Sequence, residues 1–172
     1  MTHRLLLLCL SSLLLAACAG APELTESPRV AKKSATDLLF EIRTAELEGN
    51  DALEVQPLDD SAVADLRVQA EMAEARGDFA AAELAYSKAL GLLPESPGLL
   101  QAHAEMLLVL GKLDSAESNA ARAYELGPKL GPLCRRSWAT VRLARELRGN
   151  AAAAGTANEQ AQRCATPPPV RM

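Results

Sequence analysis

Aromatic residues are scarce in this chain: two Tyr, two Phe and one Trp make up 3% of 172 residues. A β-sheet core draws on β-branched and aromatic side chains, so this alanine-rich composition suits closely packed helices instead. Basic charge is also short, with 18 Lys and Arg against 22 Asp and Glu. No basic stripe forms, which argues against a nucleic-acid partner. Histidine occurs only as His3 and His103. There is no G-x-S-x-G, no H-E-x-x-H and no glycine-rich phosphate loop. No catalytic residue, metal ligand, cofactor or small-molecule substrate is expected, and the chain does not read as an enzyme. His103 and Cys134 would make a thiol–histidine pair only with an orienting third group, and none is evident. None of the four cysteines stands in a C-x-x-C pair, so a redox or zinc site has no support. The apolar run Leu5–Leu15 spans eleven positions, broken only by Ser11 and Ser12. That is too short for a bilayer core of ~30 Å, which takes roughly 20 helical residues.

What is present begins at the N-terminus. Arg4 precedes the apolar run, and the run closes in Leu15-Ala16-Ala17-Cys18. A short basic region followed by a short apolar one is the pattern of a secretory signal peptide. Leu-Ala-Ala-Cys resembles the lipobox of bacterial lipoproteins, in which cleavage precedes a cysteine that receives a diacylglyceryl group. The resemblance implies a mature chain of Cys18–Met172, acylated at Cys18, with no other cofactor. Ala19 rather than Asp after the cysteine resembles an outer-membrane sorting signal, which implies a lipid anchor on the periplasmic side of a Gram-negative outer membrane. Several acyl chains anchor far better than one, since each buried methylene contributes ~0.8 kcal/mol. The alternative is an ordinary signal peptide cut after Ala17 or Ala19, with Cys18 incidental.

Residues 18–29 read as a flexible tether marked by Pro22 and Pro28, and residues 30–60 as a helix with a linker. Leu38, Leu39, Ile42, Ala45 and Leu47 give that helix a partial apolar stripe, stopped by Gly49-Asn50. Asp60 or Ser61 is placed to cap the helix that follows.

Beyond it the chain repeats. Gly77 and Gly111, Ala82 and Ala116, Ala89 and Ala123, and Pro94 and Pro128 are all 34 residues apart. Ala70, Gly77, Asp78, Phe79, Ala82, Tyr86, Ala89 and Pro94 carry the pattern first. Ala104, Gly111, Leu113, Ala116, Ala123 and Pro128 carry it again. This resembles the tetratricopeptide repeat, one helical hairpin per 34 residues. The glycines would close helix A and the prolines end helix B. Asp78 and Asp114 would cap helix B, with Asp114–Glu117 at capping-box spacing. Leu66 and Leu100 stand where an aromatic is usual, Gln69 and His103 where a leucine is, and Ala120 where Tyr86 would recur.

Residues 131–148 read as a third helix A, Gly149-Asn150 as its turn four positions late, and 151–164 as its helix B, with Gly155 and Thr156 weakening it. The proline-rich tail 165–172 is expected to be disordered. The resemblance therefore implies an all-α fold: a short right-handed α-solenoid of about three hairpins over residues 61–164, plus an N-terminal helix. In this register Cys134 and Cys164 fall at adjoining ends of the last hairpin, a candidate disulfide for an oxidising compartment. Two buried free thiols are the alternative.

In the family, the inner faces of the A helices line a groove for peptides or partner helices. The positions so implied are Arg67, Glu71, Glu74, Gln101, Glu105, Arg135 and Arg142. The Lys and Asn of the carboxylate-clamp subset are missing, so no chain-terminus binding is implied. The implied function is a periplasm-facing, lipid-anchored adaptor that binds a protein partner in a cell-envelope assembly, such as a pilus or secretion system. The alternatives are a periplasmic enzyme or enzyme subunit, or a passive envelope lipoprotein with no groove partner.

Overall fold

The computed structural model describes residues 33–47 and 60–165. The expected signal peptide, Cys18, the tether, most of the linker and the tail 166–172 lie outside the described residues. Within them all regular structure is helical: α1 (Ala35–Leu47), α2 (Ser61–Ala75), α3 (Phe79–Leu92), α4 (Pro97–Val109), α5 (Leu113–Leu126), α6 (Pro132–Leu147) and α7 (Ala151–Arg163). No helix among them is long and apolar enough to cross a membrane. The hairpins α2–α3, α4–α5 and α6–α7 pack in sequence as a tetratricopeptide-like solenoid, and α1 lies against α6 and α4.

Each hairpin turns on the same device. Gly77, Gly111 and Gly149 have φ of +75°, +75° and +76°, a left-handed conformation that costs a side chain about 1–2 kcal/mol. The glycine N–H donates to the carbonyl three residues back, as Gly77 does to Glu74 (2.8 Å), while Asp78 N–H reaches Ala73 O (2.9 Å). The same pair of bonds recurs at Gly111–Lys112 and Gly149–Asn150, satisfying carbonyls that a helix end otherwise leaves open. The third hairpin is therefore complete, and α7 runs through Gly155 and Thr156.

The caps are only partly as expected. Asp60 accepts from Ala62 N–H and Asp78 from Ala81 N–H. Asp114 is not a cap. Helix α5 begins at Leu113, its N-cap is Lys112, and no side chain caps it. The capping box does not form because Lys112, not Asp114, stands 34 residues after Asp78. Asp114 and Glu117 both pair with Arg148 instead.

The repeat alanines are where helices approach most closely: Ala70, Ala82, Ala89, Ala104, Ala116, Ala120 and Ala123 are all 0% exposed. Tyr86 is buried in the first cluster with Leu99 and Met106. Ala120 leaves room that Trp138 fills, packing against Ala104, Ala120, Val141 and Ala157. The Trp138 ring lies 5.0 Å from that of Tyr124. Gly127 sits where a Cβ would come within 2.7 Å of Ala123 O, so only glycine fits there without a shift. The Cys134–Cys164 disulfide is present, with Cα atoms 5.6 Å apart. Beside it Gly131 N–H donates to Cys164 O (2.7 Å), tying the start of α6 to the end of α7.

Candidate protein-interaction groove

The A helices α2, α4 and α6 form the floor, and α4, central in the stack, is buried on nearly every side. Gln101 and Glu105, one turn apart on α4, are both 0% exposed. A buried carboxylate is costly unless paired and hydrogen-bonded. Here Glu105 accepts from Gln101 Nε2 (2.9 Å), from Arg136 Nε and Nη2, and from Arg43 Nε (3.3 Å). Gln101 also donates to Thr140 Oγ1 (2.8 Å) on α6. Burial alone would raise the Glu105 pKa, but Arg136, Arg43 and the Gln101 amide hold it below the usual carboxylate range. Burial works against the Arg136 charge too, and Glu105 and Glu46 more than offset it, so that guanidinium stays protonated.

Helix α1 lies across this floor, antiparallel to α6. Leu38 and Ile42 enter the cluster of Leu107, Leu108 and Leu143, while Leu39 enters that of Val63 and Tyr86. Burying each such side chain contributes about 1.5–3 kcal/mol. Around these three runs a ring of charge. Arg43 meets Glu74 (2.5 Å) and Glu105 (3.2 Å), Glu41 meets Arg142 (2.6 Å) and Lys33 (2.5 Å), and Glu46 faces Arg136 (3.5 Å). Arg135 closes the far end, donating to Ala45 O (3.0 Å) and Glu46 O (2.9 Å), carbonyls of the last turn of α1. Glu41 is held below its ordinary pKa: burial opposes this, but Lys33 and Arg142 outweigh it. The Tyr86 phenol is pushed up to about 12 by burial and by Glu74, Glu71 and Glu105.

Five of the seven residues implied by the family groove, Glu74, Gln101, Glu105, Arg135 and Arg142, are thus gathered at one surface. They do not line an open trough. Gln101, Glu105 and Arg135 are at most 5% exposed, and Glu74 and Arg142 are engaged by α1. The reason is α1 itself: its apolar trio needs cover, and its charges match those of the floor. Arg67 is half-buried and Glu71 exposed on α2. Cys18 lies outside the described residues. The residues that sequence reasoning missed are Arg43, Glu41, Glu46 and Arg136. The signal for Glu41, Arg43 and Glu46 was the mixed charge in and beside the Leu38–Ile42 stripe; Arg136, on α6, had none. The stripe itself is shorter than expected, because Leu47 is 79% exposed and Ala45 half-buried. His103 does not face the groove. It sits between Glu83 and Asn119, 3.2 Å from each.

Outside α1 the surface dips into a cleft of about 700 Å³ between α1, α6 and α7, walled by Phe40, Thr44, Arg135, Ala139, Asn158 and Gln162. Phe40 is 74% exposed at its rim.

No protein-family profile matches this chain, and no curated protein matches it by sequence. Among solved structures it is similar to the globular C-terminal domain of P. aeruginosa LpoP. That likeness has 26% identity and a TM-score of 0.57, and covers 61% of this chain and 99% of that one.

Proposed function

We propose that this chain is an envelope lipoprotein, anchored in the outer membrane through Cys18, whose helical-hairpin domain faces the periplasm and binds a protein partner. The observation that carries the adaptor reading is the groove, a charged and apolar surface on three A helices that accommodates an amphipathic helix. The likeness to the LpoP domain supports it, since nearly the whole of that domain is matched. The Cys134–Cys164 disulfide supports an oxidising compartment such as the periplasm. Leu15-Ala16-Ala17-Cys18 supports the anchor. Such an adaptor would position parts of an envelope assembly, a pilus or secretion machine among them.

Three measurements test it. Intact mass of the membrane-extracted protein should give an N-terminus at Cys18 bearing acyl chains, and Cys18→Ser should release the chain from the membrane fraction. An unacylated N-terminus would remove the anchor. Photo-crosslinking from Phe40 and Glu71 in living cells should yield a reproducible envelope partner. Absence of any partner from both positions would leave a passive lipoprotein. Charge reversal at Arg135 is unsuitable, because it would break the contact with α1 rather than report on a partner.

A further inference from the structure

We infer that α1 is a resident, displaceable occupant of a helix-binding groove, and that the partner taking its place is an amphipathic helix of mixed charge. The inference deepens the adaptor reading and rests on it.

Three observations carry it. First, α1 is not built into the hairpins. Each of α2 to α7 packs against its chain neighbours, whereas α1 packs mainly on α6 and less on α4, with Leu39 joining the cluster of Val63 and Tyr86 and Arg43 paired with Glu74 of α2. None of the glycine turns depends on it. Second, the three apolar side chains of the seam are ringed by four ion pairs: Arg43 with Glu74 and Glu105, Glu41 with Arg142, Glu46 with Arg136. Glu105 keeps Arg136 and Gln101 as partners on the floor itself, so removing α1 hydrates a paired charge instead of stranding one. Third, residues 48–59 join α1 to the solenoid, and twelve extended residues reach at most about 40 Å, enough for α1 to leave while the hairpins stay intact.

The occupant specifies its replacement. Counting from Leu38, the groove takes apolar side chains at the first, second and fifth positions (Leu38, Leu39, Ile42). It takes a carboxylate at the fourth (Glu41), a guanidinium at the sixth (Arg43) and a second carboxylate at the ninth (Glu46). The helix should end there, so that Arg135 can take its last carbonyls.

The test uses the full chain without its lipid and a labelled synthetic peptide of residues 33–47. In hydrogen exchange on the unaltered chain, α1 amides should exchange at least about tenfold faster than those of α4 and α6, through a local opening. Exchange of α1 only together with α4 and α6 would overturn the inference. Tethered α1 competes at millimolar effective concentration, so Leu38→Asp with Ile42→Asp should raise peptide affinity at least about tenfold. A peptide carrying Arg43→Glu should bind about tenfold more weakly, with Glu74→Lys in the protein recovering part of the loss. A double variant that stays helical yet ignores the peptide, or one that unfolds, would show that α1 is an integral part of the fold. Neither arm involves acylation or a cellular partner, so failure here and failure of the lipoprotein reading are separate results.

Discussion

The three hairpin turns and the seam beneath α1 are held by opposite kinds of interaction. At the turns everything is local. A glycine at φ +75° or +76° and two backbone bonds, each within five residues, are repeated three times. At the seam the contacts that hold α1 to the solenoid are all long-range. Arg43 reaches Glu105 across 62 positions, Arg135 reaches Ala45 across 90, and Arg142 reaches Glu41 across 101. The turns therefore draw only on residues close to them in the chain. The seam exists only once the solenoid has been assembled and α1 has come back to it. A framework of the first kind can carry a removable element of the second kind.

The sharpest way to break the contrast is to remove the charge on which both α1 and α6 converge. Glu105→Ala leaves Arg136 with only Glu46 and Arg43 with only Glu74, and breaking a buried pair costs up to about 3–5 kcal/mol. The urea midpoint should fall far below that of Glu71→Ala, whose side chain is exposed. Equal midpoints would mean that the ionic seam does not hold the structure. The same group sets an acid dependence. Its folded pKa is depressed, so its stabilisation is fully present above the unfolded carboxylate value of about 4.3 and is lost as pH falls through the lower folded value. Glu41 shifts in the same direction. Acid should therefore weaken the docking of α1 before it disturbs the glycine turns, which contain no titrating bond. Hydrogen exchange at descending pH, read separately for α1 and α4, checks that order.

The contrast also explains what could be read from the sequence. Gly77, Gly111, the alanines and Pro94 announce the hairpins because a 34-residue period constrains residue type wherever backbones touch. The Cys134–Cys164 pairing followed from that register. The cap of α5 was misread at Asp114 because its short acidic motif outweighed the register, which points to Lys112. The covered groove was not legible. Arg136 looks like Arg135 in the chain, and only packing decides that one grips Glu105 and the other the end of α1. Nor does the short stripe Leu38–Ile42 say which surface it will cover.

A second test stays within the framework but leaves the local rules behind. Cys134→Ser with Cys164→Ser opens a link across 30 residues. In the chain-entropy model a loop of that length contributes roughly 3–4 kcal/mol. The last hairpin has a neighbour on one side only, so the loss should concentrate there, as faster exchange in α7 with α2 and α3 little changed. Uniform loss through all hairpins would mean that the solenoid unfolds as one unit. The α1 seam would then be secondary to it.

The smallest effect is a gain, and it tests whether the three turns are truly equivalent. Asp78, Lys112 and Asn150 enter their B helices with nearly the same backbone, at φ/ψ of −85°/72°, −83°/63° and −94°/74°. Asp78 and Asn150 accept a hydrogen bond from the N–H three residues on, at 3.0 and 3.1 Å. Lys112 has no acceptor to offer, and places a positive charge at the helix end that disfavours one. Its ammonium lies 3.4 Å from Glu83 but is 53% exposed, and such pairs contribute little. Lys112→Asn should therefore cap Ser115 N–H and stabilise the chain by about 1 kcal/mol. That corresponds to a Tm rise of about 3–5 °C for a domain of this size. A fall would show that the Glu83 pair matters more than the cap. No change would show that matching dihedral angles do not suffice to make the site. A rise confined to α5 protection, with α1 exchange unaltered, would confirm that the turns can be strengthened one at a time without touching the seam.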